Sequence, residues 1–262
     1  MRFGAVLATE LLKLRRSRIT WLTLLAFALG PLGTGTFMWI AMEPDRAADM
    51  GLIGTKADLL GLDPSWAGYL AMITQMIGIV GGLVLAVITA WVFGREYAEG
   101  TAKDMLTLPV PRPYFALAKF VVVALWWLVL VAAVLAESAA VAAVLRLPGF
   151  SPAVLATGAR DVLLAASLSL LLAPVIAWIA TLGRGYLPPL GFAMLMLVLG
   201  NVLGATGWGK WFPWSVVPLF AGVAGPPADV LASESLWIVA LTGAAGLAAT
   251  TTQLLRGDIS QS

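Results

Sequence analysis

The sequence predicts an all-α polytopic membrane protein with six transmembrane helices, and three observations carry that prediction. Of the 262 residues, 60% are hydrophobic and only 11% charged, where a soluble domain carries about 25% charged residues. Apolar runs of about 20 residues recur along the chain, the length needed to cross a hydrocarbon core about 30 Å thick. These runs are continuous and do not alternate with period two, which disfavours a β-barrel. Residues 1–262 read as a single transmembrane domain.

The opening MRFGAVLATELLKLRRSRITW has its basic cluster after an amphipathic stretch and leads into a full-length apolar run, so it is not read as a cleavable signal. Phe3, Val6, Leu7, Leu11, Leu12 and Leu14 recur at near-helical spacing, followed by Lys13, Arg15, Arg16 and Arg18. The pattern fits an amphipathic helix in the inner membrane interface. A plain positive-inside anchor is the other reading. The spans then fall at about 19–42, 69–93, 115–145, 162–182, 187–205 and 236–255. The third is long for one perpendicular crossing and is expected to tilt or project. Pro174 inside the fourth predicts a kink. LGRGYLPP joins the fourth and fifth tightly. Between the fifth and sixth, GWGKWFPWSVVPLFAGVAGPPADVLAS is too broken to span. Its tryptophans suit the headgroup level, so it reads as an exofacial interfacial or re-entrant element.

Orientation follows from the basic residues of the short flanks. With the N-terminus inside, the inner side holds Arg2, Lys13, Arg15, Arg16, Arg18, Arg95, Lys103, Arg112, Lys119, Arg184 and Arg256. The outer side holds Arg46, Lys56, Arg146, Arg160 and Lys210. Both termini are therefore expected in the cytoplasm.

The chain has no Cys and no His, which excludes disulfides, thiol catalysis and histidine-based metal or proton chemistry. Gly204–Trp211 (GATGWGKW) approaches a phosphate-binding loop, but Trp211 replaces the Mg²⁺-binding hydroxyl and no strand precedes it. No catalytic, cofactor or metal constellation is visible, and an intramembrane enzyme is disfavoured because Glu137 has no second carboxylate or His nearby in the sequence. Nothing points to nucleic acid.

Glu137 is the one carboxylate well inside a span. It either contacts substrate or an ion on a translocation path, or reaches water at the outer end and pairs with Arg146 or Arg160. Gln75 and Asn201 are weaker path candidates that interhelical hydrogen bonds would also explain. Gly78 with Gly82, Gly200 with Gly204, and Ala132, Ala136 and Ala140 stand at helix-packing spacing, with internal packing as the expectation.

The stretch FGREYAEGTAKDMLTLPVPRPYFALAKF lies between spans two and three on the basic side. REYAEGTAKDMLTL can form a short helix presenting Ala102, Met105, Leu106 and Leu108, and Pro109, Pro111 and Pro113 stop it. This suits a stiff lever that meets a soluble protein; the other reading is a surface helix resting on membrane lipid. At Arg95, Glu96, Glu99, Gly100 and Thr101, then LTLPVPRP and the helix start Tyr114 to Lys119, the chain resembles the permease subunits of type-2 ATP-binding-cassette (ABC) exporters. In layout it looks like the six-span permeases of bacterial bacitracin-resistance, sodium-efflux and multidrug systems. The resemblance implies a multi-pass protein of the bacterial cytoplasmic membrane, paired with a second permease copy or a sister permease. It also implies a separate ATP-binding ATPase subunit that handles ATP and Mg²⁺, with no cofactor in this chain. The ATPase would dock on the N-terminal helix and on residues 94–114, through Arg95, Glu96, Glu99, Gly100, Thr101, Met105, Leu106 and Leu108. The alternative is a non-transporting scaffold, sensor, immunity or assembly factor on the same fold.

Overall fold

The computed structural model describes residues 3–51, 62–101, 111–223 and 233–256. Among them every regular element is helical, and six helices are long and apolar enough to cross a membrane. A first helix, α1 (Phe3–Arg15), is followed by span one, α2 (Arg18–Met42), and a short α3 (Pro44–Asp49). Span two consists of α4 (Trp66–Met76), a π-helical turn at Ile77–Gly81, and α5 (Gly82–Ala98). Spans three and four are α6 (Arg112–Val144) and α7 (Pro152–Leu182). Span five is α8 (Leu187–Gly204), and span six is α10 (Ser233–Arg256). Between them come a 3₁₀ turn at Gly209–Trp211 and the short helix α9 (Pro213–Phe220).

Two boundaries differ from the sequence expectation. Span two does not stop at Phe93 but runs through Arg95 and Glu96 to Ala98, because the Glu96 carboxylate is neutralised inside the bundle and does not have to seek water. The helix ends where Gly100 takes a left-handed φ of 71° and its N–H bonds to the carbonyl of Tyr97. Span four begins ten residues before the expected Val162. Ser151 caps it, its Oγ accepting from the Val154 N–H at 3.1 Å, and Pro152 occupies the first helical position. Arg160 and Asp161 therefore sit on a helix, paired with each other at 2.9 Å.

Trp127 is the centre of the buried core. Its ring is fully buried, meets Phe27 edge-on at 5.4 Å and donates from Nε1 to the carbonyl of Ala166 at 3.0 Å. It also lies against the π-turn, where a Cβ on Gly81 would come within 3.1 Å of the indole. Tyr69 Oη donates to the carbonyl of Pro31 at 2.9 Å, tying span two to span one at a proline inside α2.

The broken segment after span five folds back among the spans. Ser215, Val216, Val217 and Pro218 of α9 are buried, while Trp208 and Trp211 stay exposed. Two glycines make room for it. A Cβ on Gly78 would meet Ala221 at 2.9 Å, and one on Gly200 would meet the carbonyl oxygen of Trp214 at 2.6 Å. The expected packing role of Gly78 and Gly200 is thus seen, but a Cβ on Gly82 would meet nothing within 4 Å, and Ala132, Ala136 and Ala140 face outward from the chain. The corresponding internal seam is on α10 instead, where Gly243, Gly246 and Thr250 lie on one buried face against α7, and Ser235 at the start of the same face bonds the Lys210 carbonyl of the 3₁₀ turn.

Candidate functional site: the basic end of the bundle

Helix α1, the lower end of α5, the start of α6, the Gly183–Tyr186 turn and the end of α10 gather at one end of the bundle. Three contacts join them. Gly94 approaches the carbonyl of Gly185 so closely that a Cβ would fall 2.7 Å from it. Arg112 Nη1 donates to the carbonyl of Leu255 at 2.8 Å. Phe3 stacks edge-on against Tyr114 at 5.8 Å.

Helix α1 buries a narrow face, Val6, Glu10 and Leu14, against this end and leaves Leu11 and Leu12 exposed. Val6 packs with Ala118 of α6. The expected amphipathic helix is therefore present, and its apolar face is split between the bundle and the surface.

An acid sits in the middle of that buried face. Glu10 is only 5% exposed, as is Glu96 of α5, and Lys119 of α6 is 3% exposed. Lys119 Nζ donates to both oxygens of Glu96, at 2.8 and 2.7 Å, to the carbonyl of Val92 at 2.6 Å, and more distantly to Glu10 Oε2 at 3.5 Å. Lys13 Nζ joins from α1, at 2.6 Å from Glu10 Oε1 and 3.2 Å from Glu96 Oε1. Two carboxylates and two ammoniums thus neutralise one another across three helices. Burial of charge is tolerated because each group is paired and hydrogen-bonded.

Partial burial by itself would lower the pKa of Lys13, but Glu10 and then Glu96 outweigh it and hold it above the ordinary 10.5. A raised ammonium pKa stabilises the folded chain at all pH values below the unfolded value, and that contribution is lost as pH rises through the folded one. Thermal unfolding of the detergent-solubilised protein is therefore expected to show a drop in stability on the alkaline side of pH 10.5. The Lys13→Met variant is expected to show less of it; equal curves for the two proteins would contradict the pairing.

Of the residues singled out in the sequence, Glu96 is turned inward and is not available at the surface. Arg95 stacks over Trp91 at 5.1 Å and donates to both oxygens of Glu99 at 3.0 Å. Glu99, Gly100 and Thr101 are exposed at the tip. Met105, Leu106 and Leu108 lie outside the described residues.

The structure does not gather Glu137, Gln75 and Asn201 at one cavity. A small apolar cavity of about 60 Å³ lies beside the π-turn between α5, α7, α8 and α9, and none of the three lines it. Asn201 Nδ2 donates to the carbonyl of Leu197 at 2.8 Å, a bond within its own helix where an interhelical one was expected. Gln75 makes no side-chain hydrogen bond among the described residues, so interhelical bonding does not account for it either. Glu137 is half-buried and forms no ion pair among the described residues, and Arg160 is engaged by Asp161, so the expected pairing is absent there. Glu10 was not singled out in the sequence, and Lys119 was named there only as an inner-side basic residue and as the end of the family-like helix start. The signal for the first was an acid at helical spacing between Val6 and Leu14 on the apolar face.

Comparison with known proteins gives a consistent assignment. Residues 6–200 match the family described as ABC-2 family transporter protein. The bacitracin transport permease protein BCRB of Bacillus licheniformis is 29% identical over 181 residues, 69% of this chain and 86% of the relative. No solved structure matches the chain. The chain belongs to the ABC-2 transporter family, as a membrane permease subunit whose ATP hydrolysis resides in a partner ATP-binding subunit.

Proposed function

We propose that the permease is an exporter subunit of the bacterial cytoplasmic membrane, with α1 and the basic end of the bundle in the cytoplasm, and that the partner ATPase works on the tip of span two. The observation that carries this reading is the build of that tip. Glu99, Gly100 and Thr101 are exposed at the end of a span whose preceding turn is held rigidly by Lys119 and Lys13. Push on the tip, and the push is delivered to a braced helix.

A second permease, either a copy or a sister chain, completes the transporter in this reading. In support, α2 and α8 are largely uncovered within this chain, and an open groove of about 750 Å³ lies between them and α5. The substrate class we infer is amphipathic, peptide or lipid-like, because the groove carries Trp21, Leu22, Leu25, Trp91 and Leu190, with Arg18 as its one charged lining residue among the described residues. The Bacillus licheniformis relative, a bacitracin transport permease, supports the same class. Glu137 is our first candidate for a polar contact on the path, ahead of Gln75 and Asn201, since it lies half-buried with no cation paired to it among the described residues.

The test uses the permease reconstituted in vesicles with its ATPase. Glu99→Lys combined with Thr101→Lys is expected to leave the complex assembled and hydrolysing ATP while substrate movement per ATP falls. Unchanged coupling would overturn the assignment of the tip. ATP hydrolysis by the unaltered complex with nothing moved would favour the non-transporting scaffold or immunity role.

A further inference from the structure

We propose that the buried cluster Glu10–Lys13–Glu96–Lys119 is the joint that hands a displacement of the span-two tip to α1 and so to span one, with Lys119 as its positioning residue. The proposal rests on the reading that a partner ATPase acts at that tip.

The geometry sets out the linkage. Lys119 stands on α6 and bonds both to α5, through Glu96 and the Val92 carbonyl, and to α1, through Glu10. Lys13 closes the circuit from α1 back to Glu96. The remaining grip of α1 on the bundle comes from Val6 and Leu14 and from Phe3 against Tyr114, and apolar contacts are non-directional. They hold α1 down without fixing its register. The two ion pairs that cross to α1, Lys13 to Glu96 at 3.2 Å and Lys119 to Glu10 at 3.5 Å, join specific buried charges and so favour one register.

From α1 the linkage continues into span one with almost no slack. Ser17 Oγ donates to the carbonyl of Leu14 at 2.8 Å, and Thr20 Oγ1 donates to the same carbonyl. Only Arg16 and Ser17 separate the two helices. A displacement of α5 and α6 that carries α1 with it must therefore reorient the start of α2. Without the ionic ties, α5 and α6 can move while α1 stays behind.

The cluster allows its ties to be cut without stranding a charge. Glu96→Gln with Lys119→Met removes one anion and one cation and leaves the Glu10–Lys13 pair, 2.6 Å apart within α1. Glu10→Gln with Lys13→Met cuts the two ties to α1 and leaves Glu96 with Lys119 at 2.7 Å, so the link between α5 and α6 survives, whereas the first double breaks that link as well. Both doubles keep the cluster neutral, so both are expected to fold.

The absence of cysteine makes spin labelling clean. Labels go on Thr9 of α1, Leu117 near the start of α6 and Trp237 on α10, all exposed. Distances are measured pairwise by double electron–electron resonance in the permease–ATPase complex in nanodiscs, without nucleotide and with ATP plus orthovanadate. In the unaltered chain, the Thr9–Trp237 and Leu117–Trp237 distances are expected to shift together while Thr9–Leu117 stays constant. In the Glu10→Gln/Lys13→Met double, which keeps the α5–α6 link, the Leu117–Trp237 shift should persist while the Thr9–Trp237 shift is lost; in the other double the Thr9–Trp237 shift should again be lost, and in both doubles substrate movement in vesicles should fall. A Thr9 shift of full size in both doubles would overturn the joint and leave the ATPase reading standing. No shift at either label in the unaltered complex would overturn the ATPase reading itself.

Discussion

Replacing Lys119 alone by Met is expected to destabilise the permease by about 3–5 kcal/mol, the usual cost of removing one partner from a buried ion pair. The substitution leaves Glu96 and Glu10, each 5% exposed, sharing the single cation of Lys13. It also leaves the Val92 carbonyl without the 2.6 Å donor it now has. Met matches the length of the lysine stem, so little packing volume is lost and the effect isolates the charge. The denaturation midpoint in mixed micelles, followed by far-ultraviolet circular dichroism, reads it. Pairing the change with Glu96→Gln should recover much of the loss, because the remaining Glu10 and Lys13 neutralise each other. A single variant within about 1 kcal/mol of the parent, the range of exposed ion pairs, would mean that water reaches the cluster.

Gly243→Leu is expected to force span six away from span four. A Cβ at Gly243 would land on the backbone carbonyl of Leu171, and one turn on, a Cβ at Gly246 would stand 2.6 Å from the backbone nitrogen of Val175. Main-chain atoms cannot swing aside as a flexible side chain can, so the helices must separate. Inside a membrane, helix association depends on such close packing, since lipid is as apolar as the helix it would replace. Over-packing of this kind costs about 1–3 kcal/mol even where side chains absorb it. The separation would also strain the bond from Thr250 Oγ1 to the Pro174 carbonyl, at 3.0 Å, and that from Ser235 Oγ to the Lys210 carbonyl, at 3.0 Å. Loss of the second would loosen the 3₁₀ turn before α9. Faster proteolysis and a lower midpoint are expected, with Ala244→Leu on the exposed face as an unaffected control. Equal behaviour of the two variants would refute the seam.

Hydropathy made the six spans legible, because an unbroken apolar run of that length must be covered on every side, by lipid or by other helices. Their charged ends were harder to read. Arg95–Glu96 and Arg160–Asp161 looked like the close of one span and the approach to another, yet both pairs lie on helices. For the second, the deciding signal was local, Ser151 followed by Pro152. For the first, it was tertiary: Glu96 can be helical and buried only because Lys119 arrives from another helix. Small residues misled for a related reason. Ala132, Ala136 and Ala140 keep the spacing of a packing seam but face out, whereas Gly243 and Gly246, at a three-residue interval, carry the contact. Spacing identifies a face; only the neighbouring helix determines whether it is used. The sequence reads the tip at Glu99–Thr101 as part of a short helix over REYAEGTAKDMLTL, but Arg95–Ala98 close span two and Gly100 turns the chain with a left-handed φ; the cluster that braces it was readable only as one misplaced acid, Glu10.

The π-turn at Ile77–Gly81 has a bearing on all of this. A π-turn accommodates one residue more than the α-helix it interrupts, which rotates everything beyond it by about 100° relative to an unbroken helix. Tyr69 and Ile73, before the turn, are aimed at the core, and Glu96, after it, is aimed at Lys119. Remove the extra residue, and one of these two alignments must fail. Span two therefore works as two helices set in different phases, and the widened turn beneath Trp127 is what lets a single segment serve the bundle's interior and its driven end at once.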